Sequence, residues 1–147
     1  MSERFLETFL QVAEQIARAE RGLAVDADLN ILKTLNLKPD VVETEEIRVI
    51  AMAHLRNAMS QGQAIITNNV ISDPSLAPVT NTNFANLRMV IVIPVGDLGA
   101  IYLDQPVRHI VKSEVVERLQ HLAVHCLKTG QTDLSATALE ELYDTIH

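Results

Sequence analysis

The chain has 147 residues, 48% of them hydrophobic and 21% charged, and its 12 Lys+Arg against 19 Asp+Glu leave a net charge of -7. That size suits one globular domain, able to bury roughly two-thirds of its unfolded surface, and the charge excludes a nucleic-acid groove, which needs clustered positive residues. One cysteine, Cys126, excludes an internal disulfide and a four-cysteine zinc site. The N-terminus has no apolar signal core, and the longest apolar run, Met89 to Val95, is far short of the ~20 residues of a membrane-spanning helix. The expectation is a soluble, cytoplasmic domain that touches neither nucleic acid nor membrane.

The first segment reads as a helix. Phe5, Phe9, Val12 and Ile16 recur at spacings of three and four, flanked by Leu6, Leu10, Ala13 and Ala17, and Ser2 suits the N-cap. Gly22 to Val25 reads as a short strand, with Asp26-Ala27-Asp28 as turn chemistry. Leu29 to Leu37 follows as a mixed strand, placing Ile31, Lys33, Leu35 and Leu37 on one side and Leu32, Thr34 and Asn36 on the other. Thr44 caps a second helix, Glu45 and Glu46 sit in its first turn, and Ile47, Ile50, Ala51, Leu55, Ala58 and Met59 form its apolar face. Gly62 stands just past its end, and Ala64 to Thr67 is a short strand.

Residues 68–86 are rich in Asn, Thr, Ser and Pro and read as loop, with one helical turn after Asp73-Pro74. Arg88 to Val95 is the strongest strand signal. Its β-branched run lacks polar alternation, so it is covered on both faces. Arg88 opens it, with its head directed to solvent or to a carboxylate such as Asp104. Gly96-Asp97 turns the chain into a return strand through Ala100 to Leu103. A helix begins near Ser113, an N-cap candidate, carries Val115, Val116, Leu119, Leu122, Ala123 and Leu127, and ends at Gly130. A last helix, Ser135 to Ile146, presents Leu139, Leu142, Tyr143 and Ile146. Hairpins rather than βαβ alternation point to the α+β class, a central antiparallel sheet flanked by helices. Residues 1–130 form the domain and 131–147 a helical extension.

Over roughly residues 5–128 the chain resembles the GAF domains, bacterial small-molecule sensory modules related in fold to PAS domains. Three pieces carry the resemblance: Ala19-Glu20-Arg21-Gly22-Leu23-Ala24-Val25-Asp26; Gln61 to Asn68 with Asp73-Pro74; and Leu87 to Val95 followed by Gly99-Ala100-Ile101-Tyr102-Leu103-Asp104. The resemblance implies a profilin-like sheet and a sensory or regulatory module. It also implies that the first and last helices lie side by side and build a homodimer bundle. Phe5, Phe9, Val12 and Ile16, with Leu119 of the later helix, are the candidate seam; the alternative is packing within one chain. The subclass signatures are absent. Cys126 lies in the terminal helix, away from the position bilin-binding members use. A single cysteine cannot serve the free methionine sulfoxide reductases, and Asn83-Phe84 lacks the Asp-Glu of the cyclic-nucleotide binders. No cofactor is indicated.

Two constellations carry candidate chemistry. His121 and His125 share a helix face at a zinc-compatible spacing, but Cys126 points about 100° away, so no metal site is expected. If the 68–86 loop lids the sheet, Asp73, Asn81, Asn83, Phe84 and Tyr102 would contact a neutral polar ligand; the alternative is that the Asn-rich loop only makes turns. No nucleophile elbow, phosphate loop or paired-acid site appears, so catalysis is not expected. The function expected is a module that binds a small molecule or partner and signals to a separate effector through helix packing at a dimer interface. The alternative is a dimerising scaffold whose pocket is filled.

Overall fold

A computed structural model describes residues 2–37, 49, 51–67, 88–106 and 112–146. The expected start of the second helix at Thr44, Glu45 and Glu46 lies outside the described residues, as does the whole 68–86 segment.

Helix α1 spans Ser2–Ala17. Phe5, Leu6, Phe9, Leu10, Val12 and Ala13 are all buried. An apolar face this wide has to meet two surfaces at once, and α1 lies on the sheet below while touching two helices beside and above it. It ends at Arg18, which takes a left-handed φ of 57°. The Ala19 N–H then donates back to the Glu14 carbonyl at 3.0 Å, closing the last turn.

Strands β1 (Arg21–Asp26) and β2 (Ile31–Leu35) form an antiparallel hairpin. The Asp26 carboxylate builds its turn, accepting from the N–H groups of Asn30 and Asp28, both at 2.9 Å, and from the Asn30 side-chain amide at 3.1 Å. These bonds favour the ionised form, so the Asn30 N–H first, and then the Asn30 amide, hold Asp26 below the usual aspartate range. The expected alternation of β2 is not kept. Ala24 pairs with Lys33 but Val25 pairs with Ile31, so Leu32 is an extra residue. This bulge turns Ile31 to the opposite face from Lys33 and lets Leu32 and Leu35 pack against the same core. Asn36 follows with φ 58°, its amide donating to the Glu20 carbonyl at 2.9 Å, and Leu37 is buried on the far side of the sheet.

Helix α2 is described over Met52–Gln61 and closes at Gly62, whose φ of 66° is left-handed. Strands β3 (Ile65–Thr67), β4 (Arg88–Val95) and β5 (Gly99–Pro106) complete a five-stranded sheet in the order β2-β1-β5-β4-β3, every neighbouring pair antiparallel. Helix α3 spans Ser113–Thr129. Its N-cap is Lys112 with no side-chain bond, so Ser113 is the first helical residue and not the cap. Helix α4 spans Ala136–Thr145, capped by Ser135, whose hydroxyl accepts the Ala138 N–H at 3.2 Å. The expected α+β arrangement is the observed one. No helix among the described residues is long and apolar enough to cross a membrane.

The sheet has two unlike sides. One packs against α1 and α3 through Ala24, Met89, Ile91, Ile93, Ile101 and Leu103, with α4 laid over those two helices. The other packs against α2 through Leu23, Val25, Val90, Val92, Ala100 and Tyr102. Because side chains alternate along a strand, β4 and β5 supply both cores at once. That accounts for the unbroken apolar run of residues 89–93. Helix α4 belongs with the domain rather than trailing from it, since Leu139 and Tyr143 join the same core as Phe5 and Leu119.

Gly99 stands where β5 leaves the β4–β5 turn, with φ 154°, and a Cβ there would strike the Val25 carbonyl oxygen of β1. Gly62 is also left-handed, but a Cβ there meets nothing within 4 Å. Gly99→Ala is therefore expected to lower stability by well over ~2 kcal/mol, and Gly62→Ala by only about 1 kcal/mol, as read by urea midpoints. Equal costs would contradict the close β1–β5 crossing. A depressed pKa also fixes a sign for Asp26. Its contribution is full above the ordinary aspartate pKa of about 3.9 and is lost as pH falls through the lowered value. Asp26→Asn should leave a flatter acid limb in urea midpoints followed down to about pH 3; an acid limb as steep as the parent's would remove Asp26 as a contributor.

Candidate functional site

The α2 side of the sheet carries the most demanding chemistry among the described residues. Arg21 opens β1, and the antiparallel register sets it directly opposite Asp104 of β5. The guanidinium grips the carboxylate with two parallel bonds, Nε to Oδ1 at 2.9 Å and Nη2 to Oδ2 at 2.8 Å. Tyr102, on the same face of β5, donates its hydroxyl to Oδ2 at 2.8 Å. The main chain adds a further tie, from the Glu20 N–H to the Asp104 carbonyl at 3.0 Å. Asp104 is 0% exposed and Arg21 7%. A carboxylate removed from water is tolerable only when paired and hydrogen-bonded, and this one has both. Beside the cluster lie the apolar side chains of Leu23, Val25, Val90, Val92 and Ala100, with Leu55 and Ala58 of α2 and the preceding Ala51 packed with them. His54 of α2 is also buried.

Tyr102 is thus a buried member of this face, its hydroxyl committed to Asp104. The other four candidate ligand contacts, Asp73, Asn81, Asn83 and Phe84, lie outside the described residues. Asp104 has Arg21 as a bidentate partner, while the side chain of Arg88, given to solvent or to a carboxylate such as Asp104, lies outside the described residues. Strand pairing was the missing signal. Arg21 begins one strand and Asp104 stands near the end of another, and only the β1–β5 register brings them together.

The proposed seam has a different address. Phe5, Phe9, Val12 and Leu119 are at most 1% exposed and lie in the chain's own core, while Ile16 packs against its rim. The Phe5 and Phe9 rings stack with centroids 5.9 Å apart. Packing within one chain, the alternative reading of this stripe, accounts for all five residues. On α3, His121 is exposed and His125 half-buried, the latter's carbonyl accepting the Thr129 hydroxyl at 2.8 Å. Cys126 is buried, and burial pushes its thiol up. Among the described residues no three of His, Cys, Asp and Glu come together as metal donors.

Two polar anchors on α3 gave no sequence signal. Gln120 accepts the Ala64 N–H at 2.8 Å and donates to the Gly62 carbonyl at 3.1 Å, holding the entry to β3 like one rung of an added strand. Beside it a cleft of about 230 Å³ opens between β3 and α3, lined by Ile66, Val116, Glu117 and Gln63 among others. Arg118 holds the end of α4. Each uses a long side chain to satisfy backbone groups at the end of another element, a role that depends on packing and not on spacing.

If the Arg21–Asp104 pair is a buried unit, removing one partner strands the other charge. Arg21→Met alone or Asp104→Leu alone should cost about 3–5 kcal/mol, and the double substitution should recover most of that loss. A double-mutant cycle in urea reads the coupling. Two small, additive losses would mean that solvent reaches the pair.

No family model matches the sequence, and no curated protein matches it. Among solved structures, the GAF domain/HD domain protein from Geobacter sulfurreducens is similar over 97% of this chain and 94% of that chain, with a TM-score of 0.61 and 10% sequence identity. At that identity the likeness is one of fold, and the fold is GAF-like.

Proposed function

We propose that this GAF-like fold serves as a sensory or regulatory module, taking a small molecule on the α2 side of its sheet and passing the change to the helical side. It acts by binding and not by catalysis, resides in the cytoplasm, and hands its signal to a separate effector protein. The observation that supports this reading is the division of the sheet. The α2 side holds the buried Arg21–Asp104–Tyr102 cluster next to an apolar floor, the mixture of few polar groups and many apolar ones that small-molecule sites use. Asp73, Asn81, Asn83 and Phe84 stay candidate contacts, since the segment carrying them joins β3 to β4.

Transmission has a physical route. Val90, Val92 and Tyr102 face α2, while Met89, Ile91 and Leu103 on the same two strands join the core under α1 and α3, which carry α4. Close-packed rows cannot shift on one side of a strand without repacking the other. A ligand that binds one arrangement better shifts the population toward it.

One observation favours the scaffold alternative. Leu23, Val25, Val90, Val92, Ala100 and Tyr102 are each 0% exposed, as in a face that is already filled. Native mass spectrometry of gently purified protein separates the two readings. The sensory reading predicts a reproducible small-molecule mass above the 16.3 kDa chain. A bare mass, together with no thermal shift across a panel of common metabolites, would overturn it in favour of the scaffold.

A further inference from the structure

Strand β3 ends the sheet and has β4 as its one neighbour among the described residues. In an antiparallel pair every second residue exchanges its backbone N–H and carbonyl with the partner strand, and the residues between turn theirs outward. Ala64, just before β3, gives its N–H to the Gln120 amide of α3 at 2.8 Å, and that amide donates in turn to the Gly62 carbonyl at 3.1 Å. Ala64 thus faces the open side. Alternation sends Ile65 and Thr67 to β4 and turns both backbone groups of Ile66 outward as well. No described backbone group meets them there. Gln120 closes one rung of the edge and leaves the next, at Ile66, open. The 230 Å³ cleft adjoins this rung, with Ile66 and Val116 as apolar walls and Ser113, Glu117 and Gln63 as polar ones. Its volume is below the ~300–1,000 Å³ of ordinary small-molecule pockets and suits a single long side chain. Glu117 is exposed, and the one ion pair among the described residues, Arg21 with Asp104, does not involve it. Its carboxylate is open to a cation.

We infer that β3 takes a further strand, an extended segment of a partner protein that sets a Lys or Arg opposite Ile66. One geometric rule joins the open rung to the cleft. The residue that completes the rung exchanges backbone bonds with Ile66, and residues directly opposite each other send their side chains to the same side of the sheet. Ile66 packs on the helical side. The incoming side chain is therefore delivered toward α3, into the cleft. The apolar stem of a Lys or Arg lies along Ile66 and Val116 while its charged head reaches Glu117. An acidic side chain at that position would meet Glu117 and a chain of net charge -7, so the partner is basic there. Main-chain bonds at the edge supply the attraction and the cleft supplies the selection. With one open rung and one exposed ion pair the segment binds weakly and exchanges fast. The inference concerns the β3 edge and does not depend on a ligand at the α2 side.

Titrating the nitrogen-15-labelled full chain with the end-blocked peptide Thr-Val-Lys-Val-Thr, followed by amide NMR, tests it. The expected result is saturable shifts at the Ile66, Glu117 and Gln120 amides, with binding about tenfold weaker when Glu replaces the central Lys. Methylating the backbone nitrogen of that Lys keeps its side chain but removes the N–H that donates to the Ile66 carbonyl, and saturation should be lost. Glu117→Lys, at an exposed position, should reverse the preference in favour of the Glu peptide. Three results would overturn the added strand: no saturation at Ile66 with the Lys peptide, equal binding of its N-methylated form, or saturation by lysine amide alone at the same concentration. The first and second need no variant of the protein. A preference that Glu117→Lys leaves unchanged would overturn the role of Glu117 in selecting a basic side chain.

Discussion

Asp104 places a carboxylate where water does not reach, and Arg21 meets it with two hydrogen bonds across the β1–β5 pairing. Much of the architecture depends on this contact. A shift of one residue in that register would carry Arg21 to the other side of the sheet and take its guanidinium away from the buried Asp104 carboxylate. The same register sets Gly99 beside Asp26, where only a residue without Cβ fits against Val25. It also brings β2 into the sheet, because β2 pairs with β1. A charged pair of this kind adds little net stability over apolar residues of similar volume, whereas a register that separates its two members leaves a buried charge uncompensated.

With that register set, the two sides of the sheet acquire different characters. The helical side is thick: α1 and α3 lie on the strands, and α4 is laid over both. The α2 side is held by one described helix and contains the polar cluster. Strands β4 and β5 are the only described elements that contribute buried side chains in quantity to both. They are also the pair with the longest ladder, from Arg88 opposite Pro106 to Val95 opposite Gly99. A perturbation near Tyr102 is therefore one bond network from Asp104 and one strand thickness from the core that seats α4.

Much of this was legible in residue patterns because it is governed by local rules. The three-and-four spacing of Phe5, Phe9, Val12 and Ile16, the helix-ending glycines at 62 and 130, the helix start at Ser135 and the apolar run of 89–95 all report local requirements. The α+β class followed from the order of these elements, and the GAF-like fold was implied by the resemblance carried by residues 19–26, 61–68 and 87–104. What stayed hidden depended on distant partners. The bulge at Leu32 reverses one residue of β2 against the period-two pattern, and nothing nearby in the chain announces it. Arg21 and Asp104 are 83 residues apart. The apolar stripe of α1 has the same appearance whether a second copy or the chain's own α3 and α4 cover it, so periodicity cannot assign the partner. Of the five candidate ligand contacts, Tyr102 was recognisable as a residue of the hairpin, but its bond to Asp104 depends on rotamer and burial, which spacing does not encode.

The central claim is that the two sides of the sheet are mechanically joined through β4 and β5. Methyl-resolved NMR on isoleucine, leucine and valine, comparing the parent with Tyr102→Phe, tests it most directly. That substitution deletes one hydroxyl on the α2 side and changes no other group. The account predicts shifts not only at Val90, Val92 and Leu23 but also across the sheet at Ile91 and Leu103, and onward at Leu139 of α4. Shifts confined to the α2 side, with Leu139 unmoved, would contradict it.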